Sequence, residues 1–268
     1  MKLLIQADDF GMTVGVADGI VASGRDGLLT QTGLFTNMPS TEYAVRRYKA
    51  EIPHVLLGQD LNLSTGRPLS DPEKIPSLVQ EDGSFLTSKM HRALQEKDPG
   101  HVRYEEAYLE YETQVQRFIE LVGRKPGYIV GHAFHNEITD QALKDVREKY
   151  GCRNSYPRDE IEPDKMLGGW VKPVLRADKS YDYSPLVQLE NDPLQMFIEG
   201  QLKNLEKYAD QDVVMILHTH AGFLDRDLYK LSSFNAVRPM EAGFICSREL
   251  REFVTRHQIQ MINAEYFD

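Results

Sequence analysis

With 268 residues, 41% of them hydrophobic and 27% charged, the chain can bury a large core and is not a disordered polymer. Acidic residues outnumber basic ones by 41 to 31, a formal charge of −10 that repels polyphosphates and anionic lipid, and no segment approaches the roughly 18 uninterrupted apolar residues of a membrane span, so neither nucleic acid nor a membrane is expected as a partner. The two cysteines, Cys152 and Cys246, stand far apart without ligand-like spacing, which argues against a disulfide framework or a thiolate zinc site and fits a reducing cytoplasm.

At about 100 to 200 residues per domain the length allows two domains, but barrel folds commonly reach about 250 residues as one, and the chain is read as one domain over 1–268. Short β-rich runs are followed by stretches of helical period, the pattern of a parallel α/β architecture. The first run, Leu3 to Ala7, meets DDFG and then Val14, Ala17, Ile20 and Val21 at helical spacing, with Thr13 as N-cap. Acids arrive at Asp8, before the apolar region of a signal peptide would be complete, so no export is expected. LLTQTGLFTN (28–37) reads as a second strand and a helix follows around Thr41 to Lys49. HVLLGQDLNL (54–63) carries Asp60 near the end of the third strand. From about 64 to 100, proline, glycine and charge are scattered without period, an irregular excursion beside a functional face.

Regularity returns with the stripe Ala107, Tyr108, Tyr111, Val115, Phe118, Ile119 and Val122, ending at Gly123. GYIVGHAFHN (127–136) is the next strand, then a helix from about Asp140 to Tyr150, then CRNSY (152–156) as a fifth strand. A sixth is expected within 168–178, and Asp192 with Pro193 opens another helix. VVMILHTHAGF (213–223), a helix from about Ser247 to His257 and a last strand within 258–267 complete the series. Seven or eight strand–helix units favour a distorted, TIM-barrel-like (β/α) barrel over an open doubly wound sheet.

In such a barrel the C-terminal strand ends converge on one mouth, and Asp8, Asp9, Asp60, His132, His135, Arg153, His218 and His220 fall at those ends. Neighbours in a strand point to opposite faces, so Asp8 and Asp9 cannot both pack in the core. At a strand end both can turn to the mouth, one to bind a metal and the other to manage a proton. Each residue also has a plainer reading. An Asp-Asp pair before Phe-Gly also serves as a turn or helix cap, and Asp60 beside Asn62 also reads as a solvated loop aspartate. His132 and His135 at i, i+3 would face opposite sides of a strand, and His132 is the stronger candidate. His218 and His220 at i, i+2 share a face, where one could pack while the other is exposed. Trp170 could stack on a sugar ring or fill the core. There is no phosphate-loop or nucleophile-elbow sequence, and no cysteine or serine nucleophile stands out.

Taken together, ADDFG (7–11), LLGQDLNL (56–63), GRKPGYIVGHAFHN (123–136), HAGFLD (220–225) and RPMEAGFICSRELREF (238–253) resemble the YdjC-like carbohydrate deacetylases, which include the chitooligosaccharide deacetylases, over nearly the whole chain. The resemblance implies a distorted (β/α) barrel whose divalent metal is held by an Asp-His-His set. At the matching positions it implies Asp9 and His132 as metal ligands, Asp8 as general base and His220 as the residue that protonates the leaving amine. Arg153 and Asp225 are expected to support the site, with His135 and His218 as further substrate-binding or supporting groups. Asp60 stands where the family has a histidine, and the family's histidine-rich stretch is thinned to VGHAFHN. A carboxylate in place of an imidazole makes the ligand set harder and more negative, favouring magnesium, or manganese, over zinc.

The expectation is therefore a cytoplasmic, metal-dependent hydrolase with one divalent ion that removes an acetyl group from N-acetylated sugars or short oligosaccharides. Its substrate is a small carbohydrate, and a homodimer is left open. Asp8 must be ionised and His220 protonated in the working form, which gives a bell-shaped pH dependence. One rival is a non-catalytic carbohydrate-binding or regulatory relative with a degraded metal site; another is a metal hydrolase acting on a different amide or ester. The first rival turns on whether Asp9, Asp60 and His132 meet around one point.

Overall fold

The computed structural model describes residues 1–168, 174–175, 177, 181–182 and 193–268. In β1 (Lys2–Phe10), Leu3, Ile5 and Ala7 join the large apolar cluster beneath the helices, while Leu4, Gln6 and Asp8 take the opposite face. The chain continues through α1 (Val14–Arg25), β2 (Gln31–Leu34), α2 (Thr41–Glu51), β3 (Leu56–Leu61), α3 (Ser88–Gln95), α4 (Tyr104–Val122), β4 (Tyr128–Gly131), α5 (Glu137–Lys149), β5 (Arg153–Asn154) and β6 (Met166–Gly168). There follow the antiparallel pair β7 (Val174–Leu175) and β8 (Tyr181–Asp182), then α6 (Pro193–Glu206), β9 (Val214–Thr219), α7 (Leu228–Leu231), α8 (Arg238–Cys246), α9 (Arg248–Arg256) and β10 (Gln260–Ile262).

Every pairing in the main sheet is parallel, in the order β5-β4-β3-β2-β1-β9-β6, with β10 against the start of β1. The sheet curls into an open, distorted barrel with helices outside, as the strand–helix alternation predicts, and β5 and β6 form its described edges. Two close approaches depend on glycine. A Cβ on Gly58 would stand 2.5 Å from the Tyr128 ring inside the barrel, and one on Gly19 of α1 would stand 2.4 Å from the Gly222 backbone after β9. Among the described residues no helix is long and apolar enough to cross a membrane.

Helix ends follow local chemistry. Thr13 accepts a hydrogen bond from Val16 N (3.2 Å), and α4 stops where Gly123 adopts φ 90°. α5 begins at Glu137, earlier than expected, because Asn136 accepts from Thr139 N (2.8 Å) while Thr139 accepts from Asn136 N (2.9 Å). The strand expected within 168–178 falls mostly outside the described residues, as do Trp170 and Asp192.

The aperiodic excursion carries α3 and an apolar cluster of its own, in which Ile75, Leu78, Phe85 and Val102 pack with Tyr111 and Val115 of α4 and with Phe134. Two polar residues interrupt the buried stripe of α4, and they hold the irregular backbone. Glu110 accepts from Leu69 N (3.0 Å) and Ser70 N (2.8 Å), while Gln114 donates to Asn62 O (2.6 Å) and accepts from Asn62 N (3.0 Å). Backbone that leaves the sheet still needs its hydrogen bonds, and side chains supply them here.

Candidate active site at the strand mouth

β1 ends in a bulge. Its register with β2 shifts between Ala7 and Phe10, and Asp9 adopts φ 70°. The bulge breaks the strict alternation of the strand, so Asp9 turns to the mouth beside Asp8 rather than to the opposite face. A left-handed conformation at a non-glycine residue costs of order 1–3 kcal/mol and persists only when its surroundings enforce it. Here Arg238 Nη2 donates to Asp9 Oδ2 at 2.5 Å, and Asp9 N donates to Asp60 Oδ2 at 3.2 Å.

Asp60 reaches inward from β3, and His132 leaves β4 immediately after Gly131. His132 Nδ1 lies 3.0 Å from Asp9 Oδ1 and 3.9 Å from Asp60 Oδ2, and a donor atom from each of the three residues falls within 4.8 Å of the others. Asp9 Oδ1 and Asp60 Oδ1 are buried without a hydrogen-bond partner. Burial would raise the Asp9 carboxyl, but the charges of Arg238 and His132 hold it well below the usual range. Burial pushes Asp60 well above that range, and repulsion from Asp8 and Asp9 adds to the shift. A divalent cation would answer both deficits, giving the bare oxygens a partner and the crowded carboxylates a counter-charge. The two carboxylates and one imidazole thus fit a divalent cation.

A second cluster lies alongside. His218 Nε2 donates to Asp8 Oδ2 at 2.6 Å, and His218 Nδ1 is 2.9 Å from the Tyr156 hydroxyl. Gln6 donates to Asp8 Oδ1 (2.6 Å), and Gln31 donates in turn to Gln6 (2.6 Å), a polar column inside the barrel. Burial opposes ionisation of both Asp8 and His218, but each stabilises the other's charge: Asp8 is held below the ordinary carboxylate value, and His218 is raised to about 10. The His220 ring stacks on His218 with centroids 5.5 Å apart. Burial lowers His220 to about 4, with Arg238 and His218 adding to the fall against the pull of Asp9. The opposite shifts favour His218 over His220 as the imidazole that carries a proton before any ion or substrate binds. Asp8, His218 and His220 also approach within 4.8 Å of one another. Donors around one ion stand about 3 Å apart, however, and the 2.6 Å hydrogen bond already joins Asp8 to His218.

The profile of the YdjC-like protein family matches residues 2–256. The chain belongs to this family. A carbohydrate deacetylase from Oceanobacillus iheyensis is 33% identical over 95% of this chain and 100% of its own length. A carbohydrate deacetylase 2 from Listeria innocua is 30% identical over 98% and 97%. A crystal structure from Enterococcus faecalis V583, of a protein named for cellobiose-phosphate cleavage, superposes with a TM-score of 0.78 over 99% of this chain and 98% of that one, at 24% identity, a likeness of fold.

In this YdjC-like protein a cavity of about 700 Å³ opens over Asp9, His132, His220 and Arg238. Asp8, Asp60 and His218 stand against these residues without lining the cavity, and three other expected site residues lie away from the cluster altogether. Arg153 donates to the carboxylate of Asp268 through Nε (2.8 Å) and Nη2, because it starts a two-residue strand at the sheet edge. Asp225 accepts from Gly15 N (2.6 Å) and Leu228 N (2.8 Å), tying the loop after β9 to the start of α1. His135 is 45% exposed and meets Asp140 at 2.9 Å, turned outward beyond Ala133, whose φ is 57°.

The site also contains residues without an expected role. Arg238 is buried and, besides Asp9, donates to Phe234 O (2.7 Å) and His220 O (3.3 Å). Glu241 accepts from His220 N (2.7 Å), and burial raises it to about 7 against that hydrogen bond and Arg238. Tyr156 completes the chain to His218. A signal for the first two existed: Arg238, Glu241, Ala242 and Ile245 recur at helical spacing on one buried stripe, with charges at positions that otherwise hold core residues.

Proposed function

We propose that this protein is a metal-dependent hydrolase that removes the acetyl group from an N-acetylated sugar or short oligosaccharide. The observation that carries the reading is the meeting of Asp9, Asp60 and His132, two of whose carboxylate oxygens are buried without a hydrogen bond, at a cavity lined by Asp9, His132 and His220, with Asp8 buried alongside. The carbohydrate deacetylase names of its relatives support the substrate class.

A divalent cation held by Asp9, Asp60 and His132 would polarise the amide carbonyl and ease deprotonation of water, and the donor set favours magnesium or manganese over zinc. Asp8, kept ionised by His218, takes the proton that water loses as its oxygen bonds to the amide carbon. His220 lines the cavity and hands a proton to the nitrogen as the C–N bond breaks. It is neutral at rest, and the proton it delivers is the one water lost, passed on from Asp8, whose carboxylate lies within 4.8 Å of it and so returns to its ionised form. Arg238 fixes Asp9, and Glu241 fixes the backbone of His220.

The test is acetate release from N-acetylglucosamine disaccharides by metal-stripped protein, before and after magnesium, manganese or zinc is restored, with Asp9→Asn alongside. Release that needs metal and is abolished in Asp9→Asn supports the reading. Metal uptake without acetate would point to another amide or ester, and absence of both would favour a binding protein.

A further inference from the structure

We propose that Gln6 and Gln31, inside the barrel behind Asp8, are positioning residues whose amides fix how the Asp8 carboxylate is held, and that two backbone groups far along the chain set the direction of those amides. This rests on the reading of Asp8 as the group that takes the proton from water. Gln6 of β1 and Gln31 of β2 are cross-strand partners, and both are fully buried. The inner side of the barrel around them is otherwise largely apolar: Leu4, Tyr156, Ile216 and Ile262 form one cluster, and Leu56, Tyr128 and Ala264 another. Burying two amides in such surroundings is costly unless their polar atoms are paired, and here the pairing runs in one direction.

Ala264 N, at the start of the turn Ala264–Phe267 that follows β10, donates to Gln31 Oε1 (2.7 Å). Gln31 Nε2 donates to Ser155 O, just after β5 (3.1 Å), and to Gln6 Oε1 (2.6 Å). Gln6 Nε2 donates in turn to Asp8 Oδ1 (2.6 Å). A backbone N–H can only donate and a backbone carbonyl can only accept, so Ala264 and Ser155 leave Gln31 one orientation. Turned over, its nitrogen would face the Ala264 N–H and its oxygen the Ser155 carbonyl. Gln6 must then present its oxygen to Gln31 and its nitrogen to Asp8. A reversed Gln6 would set its own oxygen against a carboxylate oxygen across the 2.6 Å now spanned by a hydrogen bond, and would push Asp8 away. With His218 on Oδ2, the carboxylate is gripped at both oxygens, and each keeps a lone pair with which to take a proton. Neither glutamine lines the cavity, so both act through Asp8.

The test measures kcat and KM for acetate release from N-acetylglucosamine disaccharides by manganese-loaded protein, with manganese affinity alongside, in wild type, Gln31→Met and Ala264→Pro. Gln31→Met roughly keeps the volume and removes the chain of donors. Ala264→Pro removes the fixed N–H at the first position of a turn, where proline is tolerated, after Asn263 in an extended conformation (φ −130°), and it carries the test should Gln31→Met not fold. In both variants kcat should fall by about three- to tenfold, with KM and manganese affinity within about twofold of wild type, because neither substrate nor ion meets a glutamine. Unchanged kcat in a folded variant overturns the inference, and so does a fall in kcat matched by KM or by manganese affinity, which marks general distortion; the deacetylase reading then stands on the wild-type activity. If the wild type releases no acetate, that reading fails, and neutron diffraction from deuterated wild-type protein decides on the two amides, as it does should neither variant fold. Deuterons on the Gln6 atom facing Asp8 and on the Gln31 atom facing Gln6 keep the arrangement, and deuterons on the Gln6 atom facing Gln31 remove it.

Discussion

Asp8 and Asp9 are neighbours in the chain and meet opposite circumstances. Both oxygens of Asp8 have a donor, from Gln6 and from His218, whose other nitrogen faces Tyr156. Asp9 gives one oxygen to Arg238 and leaves the other facing His132 Nδ1 at 3.0 Å without a well-aligned hydrogen bond, beside Asp60, itself half satisfied. The cluster around Asp8 is complete within the protein and suited to holding or moving a proton. The cluster around Asp9 has acid in surplus and suits a cation. Similar residue types thus do different work because the bulge at Asp9 assigns them different partners.

Breaking the incomplete cluster should have the largest effect. Asp60→Asn keeps the shape and loses a ligand, so acetate release should fall by about 10³-fold or more. Melting of the metal-free variant should not fall below that of the wild type, because the substitution removes a buried carboxylate repelled by Asp8 and Asp9. A lower metal-free Tm with catalysis intact would make Asp60 merely structural.

The pH dependence sharpens the roles of the two histidines. With His218 raised to about 10 and His220 lowered to about 4, kcat/KM should fall in acid as carboxylates protonate, show at most a shallow step near pH 7 as Glu241 behind His220 titrates, and fall steeply on the alkaline side only as His218 loses its proton near pH 10. An alkaline limb between pH 6 and 7 would return the titrating role to His220. A smaller effect is expected from Tyr156→Phe, which removes one hydrogen bond worth about 0.5–1.5 kcal/mol and should lower kcat by about tenfold or less with KM unchanged. Arg153→Ala should be close to silent in kinetics and cost at most about 1 kcal/mol in unfolding, since its partner Asp268 is exposed at the surface.

The same contrast explains what could be read from the sequence. Asp9, Asp60 and His132 each follow or end a periodic strand, so their convergence followed from barrel geometry. Arg153 begins its strand, and its partner lies 115 residues away, a pairing that no local pattern encodes. Asp225 serves as a cap for a helix far back in the chain. Arg238 and Glu241 were visible as charges on an apolar stripe, but their value depends on meeting Asp9 and His220 across the barrel. The excursion lacked a single period because α3 is short and part of the remaining backbone is held by a side chain of α4, Glu110 accepting from Leu69 N and Ser70 N.

Manganese binding to metal-stripped protein, followed by the loss of the free-ion paramagnetic resonance signal in wild type, Asp60→Asn and Tyr156→Phe, tests the division between the two clusters most directly. The account predicts one site in the wild type, the same site in Tyr156→Phe, and at least a tenfold weaker one in Asp60→Asn. Binding unaffected by Asp60→Asn, or lost with Tyr156→Phe, would place the ion in the other cluster and contradict it.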